Sequence, residues 1–444
     1  MTTIVQPNTS PIVSFRLVFR AGSWDDPAGQ EGLTWLTTRL MAEGGTEKLS
    51  ASELSDALYP IAAELSADCD KELTVFSGRV HKEQLERYLA IFTDVLLHPR
   101  LDPKELERLR ASQIHVLRDV LPNEADEWLS HVALDSLLYR GHPYQHPEQG
   151  TLESAAKLTL EQVKAQRERV FTQDRLVIGL AGAVDDALAS RVKTILSALP
   201  KTGAPLVTPP PAPGPRGKVW ILQHDTLSTA GFFGASYDLR RGDPDYFAVA
   251  LGMSYLGEHR QQHGLLFREL REKRGLNYGT YAYPEHYEQA PGPAPAPNDA
   301  RSTQEWSIWL RPVEPKNGAL ATHLAITYLE RTIHQPIPED RFEGSRGFLL
   351  GATRLWAQTD QRRLGWAIDD LIYGTPHFLD DYRAALQKLT PRDVEDALAR
   401  HLDPEALNFV YVTKDAEALR QALAEEPRPY DLRSIELSPS RTSL

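Results

Sequence analysis

The chain has 444 residues, 41% of them apolar, and a formal net charge of -12. This length predicts two or three domains. The charge is spread along the sequence without a basic stripe to displace counterions from phosphates, which excludes a nucleic-acid partner. The single cysteine, Cys69, excludes an internal disulfide, and the sequence has no apolar run long enough to span a membrane. Residues 1–10 lack the basic and apolar regions of a secretory signal, so we expect a cytoplasmic protein, or a periplasmic one if a leader has been removed.

Strands and helices alternate along the first part of the chain. Residues 12–20 have the alternating pattern of a strand, and residues 29–43 have a helical pattern. A second strand is predicted over 72–80, an amphipathic helix over 82–97 and a further strand over 176–181. Intermixed strands and helices of this kind predict an α+β fold in which helices pack on a sheet.

Proline-rich tracts interrupt this alternation in two places. The tract within residues 208–217 predicts a stiff, extended linker that separates a first half (residues 1–207) from a second half (residues 218–444). A second tract, residues 290–297, lies between two strand-like runs and predicts a long hairpin loop.

The two halves repeat a common order of elements. A helix ends near Tyr139 in the first half and near Tyr373 in the second, 234 positions later. Thr159 and Thr390, 231 positions apart, each precede a helical pattern as candidate N-caps, and a strand follows in both halves. The near-constant spacing predicts two homologous domains, whereas two unrelated α/β domains are the competing interpretation.

A short segment of the first half carries a resemblance to a known family. Residues 32–46 place a Gly-Leu pair before a helix and a Gly-Thr pair after it, and Asp26-Pro27 precedes them. This segment resembles the zinc-binding helix of the pitrilysin/insulinase peptidases, which carries an inverted His-x-x-Glu-His motif. The resemblance extends over nearly the whole chain. It implies a pitrilysin-like fold of two homologous domains, each a mainly antiparallel sheet packed against helices.

The metal-binding residues of that motif are replaced in this sequence. In the family, two histidines four positions apart bind Zn²⁺ and the glutamate between them activates water. Trp35 and Arg39 occupy the histidine positions, and Thr38 occupies the glutamate position. An indole nitrogen is only a donor, a guanidinium is permanently cationic, and a threonine hydroxyl is too weak a base. The resemblance therefore implies a degenerate metal site that binds no zinc.

The remaining ligand position of the family, a carboxylate on a distant helix, also differs. Asp119 is the carboxylate nearest to it, with Arg118 beside it and His115 four positions earlier. We interpret His115 and Asp119 as a solvated helix face rather than a ligand pair.

A segment of the second half resembles the substrate-positioning segment of the same family. Residues 266–279 include Arg271 and Tyr278, seven positions apart. The resemblance implies that this pair binds the substrate backbone near the scissile bond and stabilises the developing oxyanion. An arginine supplies a rigid fork of donors and a tyrosine supplies one hydroxyl, which suits this role. An ordinary surface arginine and core tyrosine are the alternative.

Loss of the metal ligands together with retention of the substrate-binding pair leads to one main hypothesis. We expect a non-catalytic subunit of a heterodimeric zinc peptidase, which helps to enclose unfolded peptides while a homologous catalytic subunit carries the zinc. The second hypothesis is a structural or scaffold subunit with no role in proteolysis. A third, an active enzyme with an unrecognised site, has little support, since nucleophile, phosphate-loop and dinucleotide motifs are all lacking.

Overall fold

The computed structural model describes residues 1–287, 294–299, 301–425 and 434–437. Residues 290–293 of the predicted hairpin loop lie outside the described residues. The described strands are β1 (Thr2–Pro7), β2 (Ile12–Phe19), β3 (Glu64–Cys69), β4 (Thr74–His81), β5 (Leu176–Gly182), β6 (Lys218–Gln223), β7 (Thr229–Tyr237), β8 (Thr280–Tyr283), β9 (Gln304–Val313), β10 (Asn408–Thr413) and β11 (Ser434–Leu437).

The helices alternate with these strands in both halves. They are α1 (Leu33–Glu43), α2 (Ala51–Leu58), α3 (Leu85–Leu97), α4 (Pro103–His115), α5 (Leu121–Glu124), α6 (Asp126–Leu138), α7 (Leu152–Ala155), α8 (Leu160–Val170), α9 (Asp186–Leu196), α10 (Tyr246–Gly257), α11 (Gly318–His334), α12 (Glu339–Leu355), α13 (Asp360–Tyr373), α14 (Phe378–Leu386), α15 (Pro391–His401) and α16 (Ala416–Glu425). There are also two π-helical segments. Val116–Val120 directly follows α4, and Phe267–Glu272 lies between α10 and β8. None of the described helices combines the length and apolar character that crossing a membrane requires.

The two sheets share one strand order. The first sheet runs β1-β5-β2-β4-β3, and the second runs β6-β10-β7-β9-β8 with β11 added beside β6. In both sheets the first pair is parallel, and the next three pairs are antiparallel. Helices pack against both sheets. The predicted α+β fold of two homologous, mainly antiparallel halves is therefore confirmed.

Local capping explains why equivalent helices begin at equivalent positions. Thr159 accepts a hydrogen bond from the Gln162 amide, and Thr390 accepts one from the Asp393 amide. Each is the N-cap of a capping box, in which the third residue of the helix bonds back to the cap. The predicted caps are confirmed in both halves.

Helix α1 starts later than its sequence pattern predicts. Gly29 and Gly32 have φ of 80° and 90°, so the helical conformation cannot extend back to residue 29. The Asp26 carboxylate instead accepts hydrogen bonds from the Gly32 amide at 2.7 Å and the Thr34 amide at 2.8 Å, which fixes the start of α1. A Cβ at Gly32 would lie 2.3 Å from the Gln149 carbonyl oxygen, so this turn also needs glycine for space.

One helix of each half crosses to the sheet of the other half. Helix α6, from the first half, packs on β7 and β10 of the second sheet, where Leu134 and Leu137 join a buried cluster with Phe232 and Trp309. Helix α13, from the second half, packs on β5 and β2 of the first sheet through Ile368. These helices are related by the 234-residue repeat spacing. The two halves are therefore joined by a reciprocal exchange of helices.

Candidate functional site

The three residues at the degenerate metal position are engaged with their own helix. The Thr38 side chain is fully buried, and its Oγ1 donates to the Thr34 carbonyl oxygen at 2.8 Å. Arg39 Nη2 lies 2.5 Å from Glu43 Oε1, and the guanidinium carbon lies 5.7 Å from the Trp35 ring centroid. A cationic side chain stacked on an indole provides no metal ligand. These residues do not fit zinc.

Asp119 lies on the π-helical segment after α4. Its carboxylate accepts a hydrogen bond from Arg118 Nη2 at 3.0 Å and contacts His115 Nδ1 at 2.9 Å. These contacts from Arg118 and His115 hold the pKa of Asp119 to about 2. Both His115 and Asp119 remain exposed, with side-chain exposures of 59% and 38%.

Gln113, not Asp119, contacts the start of α1. It is fully buried, and its Nε2 donates to the Gly32 carbonyl oxygen at 3.2 Å and the Gln149 carbonyl oxygen at 2.7 Å. The sequence indicates no role for Gln113 or Gln149, because a side-chain amide that bonds to backbone carbonyl groups has no recognisable sequence motif.

A cavity of about 480 Å³ lies beside Trp35 and Arg39, between the two halves. Arg16 reaches across it from β2, and its Nε donates to Asn298 Oδ1 at 2.6 Å. Burial lowers the pKa of Arg16 to about 10, against the opposing attraction of Asp369. Arginines from both halves therefore line the cavity beside the degenerate metal position. Its lining residues include Arg16, Trp35, Arg39, Asp68, Asp70, Glu148, Gln149, Asn298 and Arg362.

Arg271 and Tyr278, predicted as a pair from the sequence, are in contact. The Arg271 guanidinium carbon lies 4.1 Å from the Tyr278 ring centroid, and its Nη1 donates to the Tyr278 carbonyl oxygen at 3.3 Å. The guanidinium carbon also lies 4.8 Å from the Phe267 ring centroid. Tyr278 is 66% exposed. Both side chains are available to a ligand from solution.

The segment that carries Arg271 is anchored by Glu269. Its carboxylate accepts hydrogen bonds from Lys273 at 2.6 Å, from the Tyr328 hydroxyl at 2.6 Å and from Arg274 at 3.1 Å. Burial alone would raise the pKa of Glu269, but these hydrogen bonds outweigh it and lower the pKa to about 2. Tyr328 belongs to α11, so Glu269 fixes the Arg271 segment to the helical layer.

Arg311 connects the Arg271–Tyr278 pair to an aromatic cavity. Its guanidinium lies 5.7 Å from the Tyr278 ring and 5.4 Å from the Trp309 ring, and its Nε donates to Glu127 at 3.0 Å. No motif indicates a role for Arg311, which lies within β9. The aromatic cavity has a volume of about 290 Å³ and is lined by Glu127, Trp128, His131, Glu148, Gln149, Phe232, Tyr287 and Trp309.

The two cavities share part of their lining. Glu148 and Gln149 line both the aromatic cavity and the cavity beside Trp35 and Arg39. The aromatic cavity, which lies near Arg311, is therefore adjacent to the cavity at the degenerate metal position. The aromatic rings, arginines and carboxylates of the two cavities could contact an extended peptide by stacking, by hydrogen bonds to its backbone and by ion pairs.

Comparison with known proteins identifies relatives that span most of the chain. A non-peptidase homolog, YmxG, from Helicobacter pylori is 24% identical over 406 residues, which cover 91% of this chain and 89% of the relative. The β subunit of the mitochondrial-processing peptidase of Saccharomyces cerevisiae is 24% identical over 262 residues, covering 56% of this chain and 54% of that subunit.

A solved structure shows the same fold. The peptidase M16 inactive domain structure from Pseudomonas fluorescens superposes with a TM-score of 0.82 at 23% sequence identity, covering 93% of this chain and 95% of that one.

Family models match both halves of the chain. The model of insulinase, peptidase family M16, matches residues 2–151, and the model of the peptidase M16 inactive domain matches residues 157–347. Together with the substituted metal position, these matches describe a non-catalytic, peptidase-like protein. The chain belongs to the insulinase family of peptidases, peptidase family M16.

Proposed function

We propose that this chain is the non-catalytic subunit of a two-chain zinc peptidase. In this arrangement a homologous subunit supplies the zinc and the general base, and this chain supplies part of a chamber that encloses an unfolded peptide. The observation that carries the proposal is the contact between Arg271 and Tyr278 at an exposed position, in a chain whose own metal position is occupied by Trp35, Thr38 and Arg39.

The chemistry of the exposed pair suits the stabilisation of a reacting peptide bond. The guanidinium of Arg271 contacts the rings of Phe267 and Tyr278, so its donors are already oriented before a peptide binds. The phenol of Tyr278 supplies a further donor. Donors preorganised toward a developing oxyanion lower a barrier by roughly 3 kcal/mol each. A zinc-bearing partner would then complete a site that neither subunit forms alone.

The domain boundaries and the cellular location form part of the same proposal. The halves would meet at the linker of residues 208–217, with the degenerate metal position in the first half and the Arg271–Tyr278 pair in the second. We place the complex in the cytoplasm, or in the periplasm if the chain is made with a leader.

The proposal is tested by mixing the chain with homologous subunits from the same source that retain the His-x-x-Glu-His motif. An unstructured fluorogenic peptide reports cleavage by each subunit alone and by the mixture. We expect cleavage to appear, or to increase strongly, only on mixing. Substitutions Arg271→Lys and Tyr278→Phe should then lower kcat roughly 100-fold, the effect of removing one oxyanion donor.

A matched control separates this role from general damage to the surface. Tyr59 is also highly exposed, at 86%, and lies in the first half. The substitution Tyr59→Phe should leave turnover unchanged. A scaffold subunit gives the opposite pattern, in which the complex assembles and turnover is indifferent to Arg271→Lys and Tyr278→Phe. That result would overturn the proposal.

A further inference from the structure

Four side chains of metal-ligand type meet where α6 crosses the second sheet. His131 and Asp135 lie on α6, His286 follows β8, and Glu305 lies on β9. One ring nitrogen of each histidine and one carboxylate oxygen of each acid all lie within 4.8 Å of one another. His131 and Asp135 are four positions apart and so share one face of α6. This group is distinct from the helix of Trp35 and Arg39.

Both acids of the group lie in the protein interior. Asp135 is 8% exposed and the Glu305 side chain is 2% exposed. In the part of the chain that the structure describes, Asp135 Oδ1 has no hydrogen-bond partner, and no lysine or arginine nitrogen lies within 4.0 Å of either carboxylate. Burial of a charge without compensation is unfavourable by several kcal/mol. Asp135 Oδ1 is therefore a buried acceptor that a bound cation would satisfy.

The nearest cations are engaged with other acids. Arg301 Nη2 donates to Asp70 at 2.9 Å and lies 3.9 Å from Glu148, which itself pairs with Lys71 at 2.6 Å. Arg301 Nη1 also lies 2.9 Å from His286 Nδ1. Arg301 also attracts the Asp135 carboxylate. Lys71 and Arg301 therefore face four carboxylates, those of Asp70, Glu148, Asp135 and Glu305, and a divalent cation would balance this excess of acids.

The equivalent position of the other exchanged helix shows the protein's alternative solution. Asp369 on α13 is 234 positions after Asp135 and is also buried, with 2% of its surface exposed. Its carboxylate accepts hydrogen bonds from the Asn298 amide at 2.9 Å, the Asn298 side chain at 2.8 Å and Arg241 Nη1 at 3.3 Å. The buried acid at this repeat position thus has three hydrogen-bond donors in the second half, whereas Asp135 Oδ1 has no hydrogen-bond partner among the described residues.

We propose that His131, Asp135, His286 and Glu305 bind one divalent transition-metal ion. Two imidazoles and two carboxylates form a ligand set that suits zinc, which takes four such ligands in closed structural sites. Three of the four ligands are buried, and the Tyr139 hydroxyl donates to the remaining oxygen of Glu305, as a supporting contact around a metal does. The ion would fasten α6, from the first half, to β9 of the second sheet.

The half-buried fourth ligand supplies the entry path. His131 lines the aromatic cavity of about 290 Å³, and its ring stacks on Phe232 at 4.7 Å and on His286 at 5.6 Å. The ion would enter from this cavity and displace the contact between Arg301 and His286. The ion's role is structural, and it needs neither a peptide nor a partner subunit.

The test uses the full chain, stripped with a chelator and then titrated with Zn²⁺ in competition with a chromophoric chelator. We expect one ion per chain by elemental analysis and a higher melting temperature with the ion bound. Asp135→Asn and His131→Gln should each weaken the Kd at least tenfold, since even loss of an outer contact to a metal ligand costs about that much. The control Asp119→Asn removes the acid of the degenerate position and should leave the Kd unchanged.

Several outcomes would overturn this assignment. They are failure of the stripped chain to bind Zn²⁺ stoichiometrically, an unchanged Kd in both ligand variants, or a loss of binding in Asp119→Asn. Asp70, His286 and Asp299 form a second group with ligand atoms within 4.8 Å, and loss of binding in Asp70→Asn alone would place the ion there instead.

Two further measurements keep the test independent of folding and of the proposed function. Circular dichroism in chelator checks that each variant folds, and the half-buried position of His131 makes His131→Gln decisive if Asp135→Asn does not fold. The readouts are metal content, Kd and melting temperature of this chain alone. Failure of cleavage on mixing would therefore leave the metal result intact, and the reverse also holds.

Discussion

Helices α6 and α13 occupy equivalent positions in the two halves, and each packs on the sheet of the other half. Their buried acids differ. Asp369 on α13 is surrounded by Asn298 and Arg241, whereas Asp135 on α6 has an oxygen without a hydrogen-bond partner among the described residues. Equivalent helix packing in the two halves therefore surrounds one buried acid with hydrogen-bond donors and leaves an oxygen of the other acid available to an ion.

Among these changes, we expect removal of the acid on α13 to reduce the free energy of unfolding most. Asp369→Ala leaves Arg241 with Glu285 as its remaining ion-pair partner and removes the acceptor of the Asn298 backbone amide, so we expect a loss of about 3 kcal/mol in the free energy of unfolding. Asp135→Ala, measured in chelator, should cost less than about 1 kcal/mol, because it removes a buried oxygen that has no hydrogen-bond partner among the described residues. Urea denaturation of both variants measures the difference. Equal losses would contradict the comparison.

Glu269 provides a second compensated acid, whose contribution can be followed by pH. The pKa of Glu269 is lowered from 4.5 to about 2 in the folded chain, so its contribution is fully present above pH 4.5 and is lost as the pH falls toward 2. Glu269→Gln should reduce the free energy of unfolding by about 2 kcal/mol at pH 7, the typical contribution of hydrogen bonds to a charged group.

The same variant should show a weaker acid dependence than the unsubstituted chain. Urea midpoints at pH 7 and pH 3 would show this as converging stabilities. Asp119→Asn serves as the control, because Asp119 is exposed and its loss should leave the midpoint at pH 7 nearly unchanged. Parallel stabilities of Glu269→Gln and the unsubstituted chain across this range would mean that Glu269 is not the group responsible.

Removal of the matched N-caps should have a smaller effect on stability. It tests whether the same local structure contributes equally to the stability of the two halves. Thr159→Ala and Thr390→Ala each remove one N-cap hydrogen bond, and each should cost about 1 kcal/mol. Thermal unfolding of the two variants measures this effect. A cost confined to one variant would show that the two halves differ in stability at these matched caps.

The sequence predicts the repeated fold well because its landmarks are local. A capping threonine is recognised from a few residues, and the spacing of Thr159 and Thr390 exposes the repeat. The exchange of α6 and α13 could not be predicted. Each helix carries apolar residues such as Leu134 or Ile368 that would pack equally well on either sheet, and periodicity does not identify the partner surface.

The candidate site likewise contains residues that the sequence predicts and residues that it does not. The substitution of the metal position at Trp35 and Arg39 follows from the chemistry of single residues, and the pairing of Arg271 with Tyr278 follows from their family resemblance. Arg311 and the group around His286 have no such indication. Glu305 and Asp135 are 170 positions apart and meet only because α6 crosses between the halves.

The helix exchange also governs the order in which the protein can fold as it is synthesised. The strands of the first sheet are all translated by Gly182, yet the helix that covers one of its faces ends at Tyr373. Until then, apolar residues such as Val18 and Val177 lack their contact with Ile368. One face of the N-terminal sheet therefore stays partly uncovered while nearly two hundred further residues are synthesised, which takes about 10–40 s at ordinary rates of translation. Chaperones that bind exposed strands would have their longest opportunity during this interval.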